Sequence, residues 1–168
     1  TQGLTTEREN YHKGQAEFGL GLAYFMLAQR YGDAIITENS SEIKPYPLST
    51  QSEVLNTAIE HAKKAYDLLP THENLRDMNG AVITNRQVAS KGTAAALLAH
   101  LYAWRGSVTE LYSLQGNAQE DYQNAVNYAS IIINNQAGSY ELCSSPETLC
   151  EYLSDPSKTN PEAIFSLY

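Results

Sequence analysis

The chain has 168 residues, enough for one domain with a substantial core and short for two. Apolar residues make up 42% and charged residues 18%, with 12 tyrosines, a balance that suits a folded domain and excludes a disordered one. The net charge of -8, with no basic run longer than Lys63-Lys64, excludes nucleic acid and an anionic membrane surface as main partners.

No stretch of about 18 apolar residues is present, so no bilayer-spanning helix is predicted. The chain opens on Thr1 without a visible signal peptide, as a processed protein or an excised segment would. Four segments carry helical periodicity. The first covers about 8–31, with Phe18, Leu22 and Phe25 on one apolar line and Leu20, Tyr24, Leu27 and Tyr31 on another. Two such lines predict a helix sandwiched between neighbours, ended by Gly32-Asp33.

The second covers about 51–69. Thr50 and Glu53 form a capping box at its start, and Pro70 stops it. Its predicted buried stripe is Val54, Ala58, Ile59, Ala62, Ala65, Tyr66 and Leu69. The third covers about 90–105, carrying Leu97, Leu98, Leu101, Tyr102 and Trp104 in an alanine run that Gly106 closes. The fourth begins at a second capping box, Asn117 with Glu120, and continues to about Asn134. Tyr122, Ala125, Val126, Ala129, Ile132 and Ile133 are its predicted inner face.

After Gly138 the pattern changes. Tyr140 and Leu142 suit a short extended piece, and Ser145-Pro146-Glu147 opens a short helix through Leu153, with proline at its first position. The stretch 163–168 alternates weakly and reads as a strand. Any strand is expected only after Gly138. Cys143 and Cys150 lack C-x-x-C spacing and a second ligand pair. A disulfide in an oxidising compartment and two inert, partly buried thiols are both open readings.

Small residues at fixed spacing indicate the architecture. Ala58, Ala62, Ala65 and Pro70 repeat the second half of a tetratricopeptide (TPR) hairpin, and Leu20-Gly21 with Tyr24 supplies the first half. Leu98-Ala99 with Tyr102, then Tyr122, Ala125 and Ala129, repeat the pattern. The fold class expected is therefore all-α: one domain over 1–168 with TPR-like antiparallel hairpins at about 8–70 and 90–135 and an irregular part at 138–168. The connections 32–49 and 106–116 are far longer than a TPR turn, and long loops in compact scaffolds tend to be functional or disordered. An unrelated four-helix bundle with the same alanine spacing is the alternative.

These residues resemble a known family. The stretch from Ala23 to Asp33, which closes on Tyr31-Gly32-Asp33, is similar to the helix and turn of SusD/RagB proteins. Tyr46-Pro47-Leu48-Ser49, Glu53-Val54 and Leu69-Pro70 resemble that family's next helix, and the stretch from Ser90 to Ala99 with Tyr102 resembles its alanine-rich one. Tyr122 with Ala125, Tyr140-Glu141-Leu142 and the stretch from Pro161 to Ser166 follow in the family's order. Gly21 stands where many members carry Arg, and Ile35 where they carry Pro. The resemblance implies the TPR-bearing portion of a lipid-anchored, surface-exposed outer-membrane glycan-binding protein that sits over a TonB-dependent, SusC-like transporter. The family's anchor Cys is absent from this sequence.

Candidate chemistry is sparse. His12, His61, His72 and His100 are scattered, with no H-E-x-x-H, and each is expected to be exposed or simply hydrogen-bonded. There is no G-x-S-x-G elbow, and Gly19-Leu20-Gly21 falls inside a helix, where it serves packing. No motif nominates a carboxylate pair for glycoside hydrolysis. The expectation is no catalytic residue, no metal and no cofactor. Aromatic faces suit sugar rings. Tyr24, Tyr66, Tyr102 and Tyr122 fall on core positions, whereas Tyr46 and Tyr112 fall in the two long loops and are the candidate glycan-binding residues. Asn39, Gln115 and Asn117 are candidate polar contacts.

The expected function is non-catalytic capture of an oligo- or polysaccharide for outer-membrane import, with this portion mainly scaffold and transporter contact. The rival is a generic TPR-like adaptor. A basic, asparagine-lined groove favours the adaptor; exposed aromatics clustered at loop tips favour capture.

Overall fold

Alanine and glycine stripes on three long helices let their backbones approach closely, and that approach organises the molecule. The computed structural model describes residues 5–37, 41, 44–155, 158 and 160–166. Helix α1 spans Thr6–Tyr31, and α2 spans Gln51–Leu68. Helix α3 spans Lys91–Leu111, α4 spans Ala118–Ile133, and α5 spans Pro146–Ser154. The fold is all-α, with α1 packed on α2 and α3 on α4 as antiparallel hairpins, and α2 against α3 joining them.

The caps follow from side-chain chemistry. Thr50 and Glu53 form the predicted capping box: the Glu53 carboxylate accepts from Thr50 N–H at 2.7 Å. Ser90 and Thr93 build a second, buried box at the start of α3. At α4, Asn117 accepts from Glu120 N–H, while Glu120 meets only the Asn117 side-chain amide, so the reciprocal half of the predicted box is missing. Helix α5 begins with proline in its first turn, as predicted.

A close helix crossing lies at Gly21. A Cβ there would stand 3.1 Å from Ala58 O and from Ala62 N. Ala58, Ala62 and Ala65 are fully buried, and around them close Phe18, Phe25, Val54, Leu55, Leu98 and Leu101. Ala99, expected at a close crossing, is only half-buried. Gln15 ties α1 to the start of α3 through Ala89, donating to its carbonyl at 2.7 Å and accepting from its N–H at 3.1 Å. The final stretch folds back over this junction, with Phe165 edge-on to Phe18 and Ser166 N–H donating to Arg86 O.

Several sequence expectations are overturned. Gly106 does not end α3; it is buried within it, because a Cβ there would come within 2.9 Å of the Tyr122 ring. Glycine at this point serves helix packing rather than termination. The loop predicted at 106–116 shrinks to a tight turn at 112–117, with Ser113 at φ 50° and Gly116 at φ 152°.

Strand is not confined to the region after Gly138. Among the described residues the strands are β1, Ala34–Ile35, and β2, Leu48–Ser49, paired antiparallel with Ala34 opposite Ser49. They zip the base of the α1–α2 loop, a pairing set by the adjacent helix ends rather than by local alternation. Residues 163–166 form no strand: Ser166 N–H bonds Arg86 O, but no ladder of paired bonds follows, and Leu167 and Tyr168 lie outside the described residues.

Helix α1 is not sandwiched on both sides. Phe18, Tyr24 and Phe25 are buried, but Leu20 and Tyr31 are exposed, because α1 is an edge helix that packs mainly on α2. Trp104 and, on α4, Val126 and Ile133 also point outward. On α4 the inner phase instead brings in Tyr128 and the buried Asp121. Both cysteines are unbridged, Cys143 half-buried and Cys150 exposed.

Candidate functional site

The antiparallel hairpins bring the ends of α1 and α3 and the starts of α2 and α4 to one end of the molecule. Gly32, at φ 71°, turns the chain out of α1 and donates to Ala28 O at 3.1 Å. Gln51 then fastens α2 to that turn: its N–H donates to Asp33 Oδ1 at 2.8 Å and its side chain to Ala28 O at 2.9 Å. Thr37 N–H donates to the buried Tyr24 hydroxyl at 3.2 Å, fixing the start of the loop that β1 and β2 close.

Tyr46 lies on the returning arm of this loop, half-buried, with Lys44 Nζ 5.0 Å from its ring centroid. Tyr112 caps α3 with its N–H on Val108 O at 3.0 Å, and its side chain is 62% exposed. Both candidates therefore stand at the same end. Tyr31 joins them at 72% exposed, and sequence reasoning missed it because it fits the apolar phase of α1. Its position immediately before the Gly32 turn was the available signal. Of the polar candidates, Gln115 and Asn117 line one hollow with Ser52, Asn56 and Thr109, and Asn117 also caps α4. Asn39 lies outside the described residues.

Beside this end runs a polar groove of about 490 Å³ between α2, α3 and α4. Asn56, Glu60 and Lys63 line it from α2, at helical spacing, and Glu120, Asn124 and Tyr128 line it from α4. Its floor is aromatic: Tyr102 and Tyr128 stack at 5.9 Å, and Tyr66 meets Tyr128 edge-on at 5.7 Å. Arg105 lies 5.2 Å over Tyr102 and forks onto the buried Asp121 at 2.9 and 2.5 Å. Its remaining arm donates to Asn56 at 2.7 Å, so one guanidinium clasps α2, α3 and α4. The Asp121 carboxylate holds the Arg105 guanidinium further above its ordinary range, and the Lys63 ammonium, donating to the Tyr102 hydroxyl oxygen, is likewise held above its own.

The histidines are dispersed. His61 pairs with Glu17 at 2.5 Å and stacks on Tyr24, while His12 and His100 are exposed. His72 is buried and takes the hydrogen-bonded of the two expected states, through the Thr84 backbone; burial first and Arg86 second hold its imidazole below the ordinary range. Among the described residues no three His, Cys, Asp or Glu side chains converge on a point that could hold a metal ion.

Comparison with known proteins places this geometry. Residues 1–103 match the family SusD-like_3, described as starch-binding associating with outer membrane. No curated protein matches the chain significantly. Among solved structures, a SusD homologue from Bacteroides thetaiotaomicron superposes with a TM-score of 0.75 at 23% identity, over 98% of this chain and 30% of its own. NanU of Bacteroides fragilis superposes at 0.73 and 22% identity, over 99% of this chain and 30% of its own. A SusD superfamily protein from Bacteroides vulgatus superposes at 0.70 and 25% identity, over 98% and 30%. The chain thus spans about 30% of the length of these structures.

Proposed function

The chain belongs to the SusD-like family, and from that premise we propose that it serves non-catalytic glycan capture at the outer membrane, coupled to import through a TonB-dependent, SusC-like transporter. The family match over residues 1–103 carries this reading. Residues 1–168 act as one helical unit of a longer, lipid-anchored, surface-exposed protein, contributing scaffold and transporter-contact surface. Tyr46 and Tyr112 are the glycan-stacking residues of this unit, and Tyr31 extends the same aromatic end. The exposed Tyr31 and Tyr112 and the half-buried Tyr46, at the end of a rigid helical pair, suit sugar faces, which present C–H groups to a π-system.

The adaptor alternative called for a basic, asparagine-lined groove. The groove between α2, α3 and α4 does present Asn56 and Asn124, but Glu60 and Glu120 offset Lys63 and Arg105, and Arg105 is spent on Asp121 and Asn56. That balance favours capture.

The transporter contact is tested by crosslinking the full-length protein in intact membranes, with photoreactive probes along α1, α3 and the turns at 32–49 and 112–117. The proposal expects probes here to capture a transporter barrel. Capture only from probes elsewhere in the protein removes the contact role from this unit.

A further inference from the structure

A second hollow lies between α1 and α3, toward the C-terminal ends of both helices. It is a shallow, open depression of about 250 Å³ lined by Phe25, Gln29, His100, Ala103, Trp104 and Ser107. Trp104 is 37% exposed, and its ring stands 6.3 Å from the buried Phe25 at 80°, so a rigid core residue braces a half-open indole. Gln29 and His100 are exposed beside it, and neither they nor the indole N–H has a hydrogen-bond partner among the described residues. No charged side chain lines the hollow.

An aromatic platform ringed by uncharged, unengaged donors and acceptors matches one ligand chemistry. The ring stacks on the axial C–H face of a neutral pyranose, while the Gln29 amide and His100 imidazole meet its hydroxyls. The volume falls just below the roughly 300–1,000 Å³ of pockets that enclose drug-sized ligands, which suits one ring of a longer chain. We propose that the Trp104 hollow is a subsite for one neutral sugar residue of a bound glycan; the inference rests on the capture reading and adds a contact point distinct from Tyr46 and Tyr112. The lack of charged lining predicts a preference for neutral over anionic sugars, because a uronate would find no cation there.

Trp104 is the single tryptophan of the chain, so its emission reports on this hollow alone. The 168-residue chain is titrated with maltoheptaose, cellohexaose, xylohexaose and an oligogalacturonate, following tryptophan fluorescence and calorimetric heat together. At least one neutral oligosaccharide should give a saturable emission change that tracks its heat, and the oligogalacturonate none. Trp104→Ala should weaken binding of that sugar by roughly two- to tenfold, the size of one aromatic contact. Gln29→Ala, at an exposed position that leaves folding alone, should weaken it in the same direction. Heat with unchanged emission, and unaltered affinity in both variants, overturns the Trp104 subsite and leaves the capture reading standing. Neither heat nor emission change with any sugar overturns both.

Discussion

A Cβ at Gly21 would stand 3.1 Å from backbone atoms of Ala58 and Ala62, and Ala62 itself is fully buried. Ala62→Leu has nowhere to place its added carbons without separating α1 from α2, and should cost about 1–3 kcal/mol in urea unfolding. An unchanged midpoint would mean the crossing lies elsewhere. This contact was legible in the sequence, because small residues recur at helical spacing only where backbones meet. His72 was not legible. Its burial arises in the irregular segment between α2 and α3, where Arg86 and the Thr84 backbone reach it from distant positions. Since its folded pKa is depressed, the unfolded chain binds the proton more readily, and folding loses stability as pH falls below about 6.5, the ordinary histidine value. Its contribution is absent above that pH, where both states are neutral. His72→Gln should therefore flatten the fall in melting temperature from pH 7 towards pH 5 relative to the unmodified protein. Parallel curves for the two would remove His72 from the acid response.

Among the elements, one ion pair ties α3 to α4 within the second hairpin, and its guanidinium also reaches across to α2 of the first. Asp121 is 6% exposed in its side chain and Arg105 25%, and the same guanidinium reaches Asn56. Arg105→Ala leaves a buried carboxylate without a partner and should cost about 2–3 kcal/mol, below the range for fully enclosed pairs because Arg105 is partly open to water. Arg105→Ala combined with Asp121→Ala should recover part of that loss, which a thermal-melt double-mutant cycle measures. Strict additivity would show that the two side chains are not coupled. The four long helices were readable from periodicity and caps, but this joint was not. Asp121 sits in the first turn of α4, where an acid ordinarily faces solvent and favours the helix dipole. Only the arrival of Arg105 from α3 selects the phase that buries it and turns Val126 and Ile133 outward. Gly106 misled for a related reason. Read alone, glycine after a helical run is a stop; its role against Tyr122 exists only once α4 has folded back.

At the scale of the whole molecule, two hairpins set their connected ends side by side, and Tyr31, Tyr46 and Tyr112 stand there on supports that the helices fix. Tyr46 and Tyr112 were singled out from sequence because both lie outside the periodic segments, although the long loop expected around Tyr112 is a tight turn. If both rings stack on a glycan, Tyr46→Ala and Tyr112→Ala should each lower affinity by about 0.5–1.5 kcal/mol without altering helix content. Equal affinities in calorimetry would take them out of the site. The central claim, capture without chemistry, is tested most directly by one measurement: calorimetric titration of the purified protein with a long neutral oligosaccharide, followed by chromatography of the recovered sugar. The account predicts saturable heat and a sugar returned at its original length. Shortened products that disappear when a single carboxylate is replaced would contradict it.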